Sequence, residues 1–394
     1  MPLANGRHFL AIPGPSVMPE AVLREMSRPS ANIYEGPLVE MTAGLYPDLK
    51  KVARTNGRVA IYIANGHGVW EAALANTVDP GEKVLVLESG RFAVGWGEMA
   101  EHLGIEVEVL EAPARRGVDP QMVEDRLRAD KDHEIKAILV VQIDTATGVW
   151  NDIAAIRKAI DAAGHPALFQ VDCMASLGCT PYEMDAWGAD ITTAGSQKGL
   201  MTPPGMAFLW ASDKAWARSK TLTRGRSHWD WGPRAEPEMF YQRFHGTAPV
   251  QHLYALRAAL DMIADEGLEA IWARHRALAR GVQAAVRTWG ERGPLELNIQ
   301  DDAALSDSVT TILTGDLDAA VLRETAESKL GVTLGIGLGI SPTGAFRIGH
   351  MGHVNAPMIL GALGATELAL SHLGAEFQSG GVEAAIAAMA GAVE

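Results

Sequence analysis

Between residues 58 and 211 the apolar positions fall into short continuous runs that alternate with stretches of helical spacing. Val59 to Ile63, Val84 to Leu87, Ile105 to Leu110, Ala137 to Val141, Ala167 to Val171, Ile191 to Thr193 and Met206 to Leu209 predict strands. Val69 to Val78, a segment ending at Leu103, Pro120 to Ala129 and Ile153 to Ala163 predict the helices between them. Continuous apolar runs suit strands buried on both faces. Strands alternating with helices call for a mostly parallel sheet covered by helices on both sides. Asp144-Thr-Ala-Thr-Gly148 reads as a loop. Upstream, helices are predicted at Glu20 to Met26 and at Pro37 to Arg54, where Leu38, Met41, Leu45, Leu49 and Val52 recur every three or four residues. Pro13-Gly-Pro15-Ser16 ends the apolar run Phe9-Leu-Ala-Ile, so residues 1–16 read as an extended arm, with Ser16 or a neighbour capping the next helix.

Residues 222–250 break the alternation. Arg224-Gly-Arg-Ser-His-Trp-Asp-Trp-Gly-Pro is rich in Trp, Gly and charge, and is too long for a tight connection. Two amphipathic helices follow, one striped by Leu253, Leu256, Leu260 and Ile263, the other by Ile271, Leu278, Val282, Val286 and Trp289. Gly267 lies between them and marks a boundary. The expected organisation is an arm (1–16), a large α/β domain (17–266) and a smaller C-terminal α+β domain (267–394). In the last, strands are predicted at Val309 to Leu313 and Phe346 to Gly349, with helices at Leu317 to Lys329 and in the alanine-rich tail.

Composition narrows the function. The chain has 394 residues, 47% of them hydrophobic, and a formal net charge of −14. No basic run exceeds Arg115-Arg116, which weighs against nucleic acid or an anionic membrane as partner. Cys173 and Cys179 are the only cysteines, too few for a disulfide framework. No basic-then-apolar leader is evident and no apolar stretch reaches about 18 residues, so a cytoplasmic location is expected.

The candidate chemistry gathers where strands end, the place at which ligands bind in parallel sheets. Lys198, in Gly195-Ser-Gln-Lys, lies between two apolar strands. It reads either as a solvated loop lysine or as a Schiff-base amine made nucleophilic by desolvation. Asp172 ends the apolar run Ala167 to Val171. It is a turn former or cap, or a carboxylate that keeps a pyridine nitrogen protonated. Gly66-His67-Gly68 is a tight strand–helix turn or a cradle of backbone N–H groups for phosphate. Phe92 suits stacking on a planar ring or core packing, and Thr145 and Thr147 suit ring contacts or ordinary loop roles. Arg347, in an apolar strand, suits either an internal ion pair or bidentate recognition of a carboxylate. Trp70, Trp229 and Trp231 suit a pocket wall or an interface.

Taken together, Gly14-Pro15-Ser16, Gly66-His67-Gly68, Val171-Asp-Cys-Met-Ala-Ser-Leu-Gly, Gly195-Ser-Gln-Lys, Pro203-Pro-Gly and Arg347-Ile-Gly-His-Met-Gly resemble the class V aminotransferases. These are pyridoxal-phosphate enzymes of fold type I, and the likeness is to the alanine–glyoxylate and serine–glyoxylate members. It covers nearly the whole chain, in order. The resemblance implies pyridoxal 5'-phosphate as cofactor and a small amino acid and a 2-oxo acid as substrates. It implies that Lys198 is the covalent and proton-shuttling lysine, that Asp172 pairs with the ring nitrogen, and that Phe92 stacks where mammalian members place a tryptophan. Gly66, His67, Gly68 and Gln197 would serve the phosphate region, helped by Thr247 of a second subunit, and Thr147 would lie beside the ring. Arg347 and the backbone around Pro15 would hold the substrate carboxylate. A homodimer with shared active sites and an arm wrapping the partner is implied as well.

The chain also departs from the pattern. Phe244 stands near Thr247 where the family often has tyrosine, leaving Thr247 or His245 for the cross-subunit contact. Tyr34-Glu35-Gly36 replaces a His-Arg pair of serine–glyoxylate members. Pyridoxamine–pyruvate aminotransferase, an alternative with a similar C-terminal motif, uses a second arginine where Leu338 stands here. A lyase of the desulfurase type would need a nucleophilic cysteine on a mobile C-terminal loop, and a non-catalytic cofactor-binding role is the remaining alternative.

Overall fold

A computed structural model describes residues 3–393 of the chain. The strands in chain order are Phe9–Ala11 (β1), Arg58–Tyr62 (β2), Lys83–Glu88 (β3), Glu106–Glu111 (β4), Ile135–Val141 (β5), Ile143–Asp144 (β6), Val149–Trp150 (β7), Leu168–Asp172 (β8), Ile191–Gly195 (β9), Ala207–Ala211 (β10), Glu296–Leu297 (β11), Val309–Leu313 (β12), Val332–Ile336 (β13) and Ala345–Gly349 (β14). Seven of them form a sheet in the order β2-β10-β9-β8-β5-β3-β4. All its pairings are parallel except the two made by β10, which runs against both neighbours. The architecture is thus the mostly parallel α/β sheet that the alternation predicts.

Each face of this sheet has its own core. One gathers Leu45, Leu49, Phe169, Phe208 and Trp210 under helices that include Pro37–Ala53 and Ile153–Ala163. The other gathers Tyr62, Trp70, Val86, Trp96 and Leu139 under helices Gly66–Ala75 and Arg91–His102. Helix ends follow their capping residues. Asp119 accepts from Gln121 N ahead of Pro120, Asp152 from Ala155 N, and Gly164 closes the latter helix in the left-handed conformation.

The second sheet has the order β1-β13-β14-β12-β11 and a separate core around Trp289, Ile312, Phe346, Ile348 and Leu363. Strand β1 comes from the first residues of the chain and pairs in parallel with β13. The run Phe9-Leu-Ala is therefore an edge strand of this sheet, because its apolar side chains reach a core already built from the C-terminal part. The loop expected at residues 144–148 is bounded by a short hairpin, β6–β7, so that Asp144 itself ends a strand, and a further strand, β13, lies between the two predicted strands of the small domain. Ser16 caps no helix: Pro19 stands at that position, and the Ser16 hydroxyl is engaged elsewhere. Among the described residues no helix is long and apolar enough to cross a membrane.

Candidate active site

The carboxyl ends of β3, β5, β8 and β9 converge on a cavity of about 190 Å³. Asp172, the last residue of β8, is 1% exposed there. One carboxylate oxygen accepts from Trp70 Nε1 at 2.9 Å and the other from Met174 N. Burial pushes this carboxyl up to about 7, while the two hydrogen bonds and Lys198 pull the other way. Lys198 follows β9 on a turn and lines the same cavity. Its amine donates to the Pro13 carbonyl, and burial, reinforced by Arg347, lowers it to about 8 against the opposing pull of Asp172. Gly14 leaves the space the lysine needs: its φ is +122°, and a Cβ there would collide with the Lys198 side chain.

Helix Gly66–Ala75 starts at the cavity wall, with Asn65 as its cap. The Asn65 carboxamide oxygen accepts from His67 N at 3.1 Å and Gly68 N at 3.3 Å, so it stands where an anion's oxygen would be held. Gly66 is required by proximity, since a Cβ would lie 2.8 Å from Met174 Cε. Gln197 lines the cavity, and its buried Oε1 makes no hydrogen bond among the described residues. Phe92 lines the cavity, and its N–H donates at 2.8 Å to buried Asp144, which also accepts from Ala93 and Ala146.

These features fit pyridoxal 5'-phosphate. Lys198 can take an aldehyde, Asp172 needs a cationic partner to ionise in its buried position, and a helix N-terminus with small residues leaves room for phosphate. A phenyl ring stands beside them for a planar ring to meet.

Several expected residues lie outside this cavity. Arg347, in the middle strand of the small sheet, is 6% exposed. Its Nε donates to Ile336 O at 2.6 Å and Nη1 to Thr145 O at 2.8 Å, while Nη2 makes no hydrogen bond among the described residues. Burial lowers it to about 10, and Asp144 opposes the shift. Thr145, whose carbonyl Arg347 holds, lines the cavity. Thr147 does not: on the tight hairpin its hydroxyl donates to Ser89 O at 3.0 Å. Gly68 is set back against Ala64 and Trp229. Pro15 and Thr247 are exposed, and neither lines this chain's cavity.

Phe244 is buried and stacks edge-on with Phe240 at 5.6 Å, so it belongs to the core. Trp70 is a pocket residue, whereas Trp231 is interior and donates to Ser219 Oγ. Asn65 and Met174 line the site without having been assigned to it by sequence, Trp70 forms part of its wall, one of the two roles it suited, and Asp144 supports it from behind. Asn65 preceding Gly-His-Gly is a readable cap signal. Asp144 gives no such signal, because it caps the helix beginning at Arg91 from more than fifty residues away.

Residues 65–338 match the family aminotransferase class-V. The chain is 40% identical to a serine–glyoxylate aminotransferase of Methylorubrum extorquens, covering 96% of this chain and 95% of that one. It is 38% identical to an L-aspartate–glyoxylate aminotransferase of Paracoccus denitrificans, covering 95% and 94%. In three dimensions it is similar to the pyridoxamine–pyruvate aminotransferase of Mesorhizobium loti, with a TM-score of 0.90, 29% identity and 98% of each chain covered.

Proposed function

This chain belongs to the class-V aminotransferase family and is a pyridoxal-phosphate-dependent aminotransferase, and from that premise we propose that it moves the amino group of alanine, serine or aspartate to a 2-oxo acid, glyoxylate, in two half-reactions. The observation that carries this reading is that Lys198, Asp172 and the Asn65–His67 turn all open into one cavity. Bound pyridoxal phosphate supplies an electron-withdrawing ring that lowers the cost of removing the α-proton. Lys198, held near 8, exists in both protonation states close to neutrality, as an amine needs to bond a carbonyl carbon and to carry a proton between two carbons. Asp172 holds the proton on the ring nitrogen. Gly66, His67, Gly68 and Gln197 take the phosphate end, with Asn65 yielding its two N–H groups to the anion. Phe92 would stack on the ring, and Thr147 braces the nearby loop through Ser89.

Arg347 would offer its Nη2 to the substrate carboxylate, helped by the backbone around Pro15. Thr247, exposed on its loop, serves the site of a second copy, so the working form is a homodimer, and we place it in the cytoplasm. The desulfurase alternative is disfavoured by chemistry: burial pushes Cys179 up to about 12 and raises Cys173 further from reactivity, and neither is accessible. The test is to mix the loaded protein with a panel of amino acids and follow the visible band, then restore it with a panel of oxo acids. Alanine, serine or aspartate should bleach the band and glyoxylate should restore it. A band that no amino acid bleaches, while pyridoxamine and pyruvate react, would replace this reading with the pyridoxamine–pyruvate one.

A further inference from the structure

The segment from Ile12 to Ser16 joins the two parts of the site. Ser16 is 5% exposed, its N–H donates to Gln197 O at 2.8 Å, and its hydroxyl donates to Lys198 O at 2.8 Å. Three residues earlier, the Pro13 carbonyl accepts from the Lys198 amine. The catalytic lysine is thus held at both ends, backbone and amine, by one short stretch. That stretch is itself seated on the strands around Arg347. Gly349, two residues beyond Arg347 on β14, has room only for hydrogen because Ile12 O lies against it. A Cβ at Gly335, which pairs with Arg347, would lie 3.0 Å from Pro13 Cδ. Gly352 packs against Ser16 and Lys198, where a Cβ would lie 3.1 Å from Ser16 Oγ, and its N–H is held by His275 Nε2 at 2.9 Å.

We propose that residues 12–16 form a positioning strap that sets the Lys198 amine in register with the β14 strand bearing Arg347, with the Ser16 hydroxyl as its anchoring contact. The proposal rests on the reading of Lys198 as the reacting amine. The strap fixes the separation between the group that moves the proton and the group that holds the carboxylate.

Ser16→Ala removes the hydroxyl and leaves the Ser16 N–H bond to Gln197 in place. The variant is expected to melt as the wild type does and to bind pyridoxal phosphate. Two properties should change. The apparent pKa of the loaded protein's visible band should move, and kcat should fall about tenfold with KM for the amino donor little altered, since a small misplacement acts on the reacting geometry. Ser16→Thr, which keeps the hydroxyl, should restore both. Gly14→Ala is a second arm: its methyl meets the lysine side chain, and it too should move the band's pKa. Lys198→Ala serves as the reference. If Lys198→Ala is inactive while Ser16→Ala and Gly14→Ala titrate and turn over as wild type, the strap is refuted. If Lys198→Ala is as active as wild type, the assignment of the lysine fails instead.

Discussion

Lys198 stands on a turn after an inner strand of the large sheet, with one carbonyl facing its amine. Arg347 stands within the middle strand of the small sheet, with two carbonyls fixing its guanidinium and Asp144 nearby. Both cations are drawn out of water. Burial brings the lysine to about 8, where losing the proton is easy, and leaves the arginine at about 10, where it stays charged at any physiological pH. Sparse solvation makes a base, and a guanidinium tied to carbonyls makes a permanent anchor. On the proposed function the two sheets divide the labour: one would move a proton, the other would hold a carboxylate.

The sharpest way to break that division is to exchange or delete the cations. Lys198→Ala should lower the turnover of either half-reaction at least about 10³-fold, within the range that a positioned acid–base supplies. Amino-donor half-reactions followed by stopped-flow absorbance would show it. Arg347→Lys keeps the charge but cannot span the Ile336 and Thr145 carbonyls while pointing a nitrogen at substrate. Its kcat/KM should fall about 10²-fold, mostly through KM, in line with the loss of a charge-assisted hydrogen bond. A lysine that works equally well in either place would erase the distinction.

A subtler prediction concerns the cofactor-free protein. The folded Asp172 carboxyl is raised to about 7, so the folded state holds more protons than the unfolded state between about 4 and 7, and stability falls as pH rises through that window. Lys198 is lowered to about 8, so the unfolded state holds more protons above that value, and stability is regained as pH rises from 8 towards the ordinary lysine range. The cofactor-free protein should therefore melt lowest near pH 7–8, with at most about 4 kcal/mol at stake on the acid limb and about 3 kcal/mol on the alkaline one. Asp172→Asn should flatten the acid limb and Lys198→Met the alkaline one, in melting curves across pH. Arg347→Met should leave the acid limb in place and weaken the alkaline one, because it removes a charge that helps to lower Lys198. The smallest effect is expected at Phe92→Leu: loss of an aromatic face should weaken pyridoxal-phosphate binding about fivefold, measurable by fluorescence titration.

Much of this frame was legible in the residues. Helices Pro120–Ala129 and Ile153–Ala163 and strand β12 lie where periodicity placed them, because each is bounded by residues with a strong local preference, such as Asp119-Pro120, Asp152 and Gly164. Lys198 and Asp172 could be paired because strand ends in a parallel sheet share one edge. What was hidden depends on distant partners. Asp144 sits in what looked like a loop, yet it organises the start of the helix carrying Phe92. Ser16 looked like a cap and instead holds Lys198, 182 residues away. The hydroxyl of Thr147 is turned to Ser89 by a hairpin too short for periodicity to reveal. The second edge of the site, Arg347 against Thr145, joins two sheets whose packing no local pattern encodes.

The assignment of Lys198 is tested most directly by reducing the pyridoxal-phosphate-loaded protein with borohydride, digesting it, and locating the cofactor label by mass spectrometry. The label is expected on the peptide containing Gly195-Ser-Gln-Lys198, at Lys198 alone. A label on any other lysine, or a loaded protein that takes no label, would contradict it.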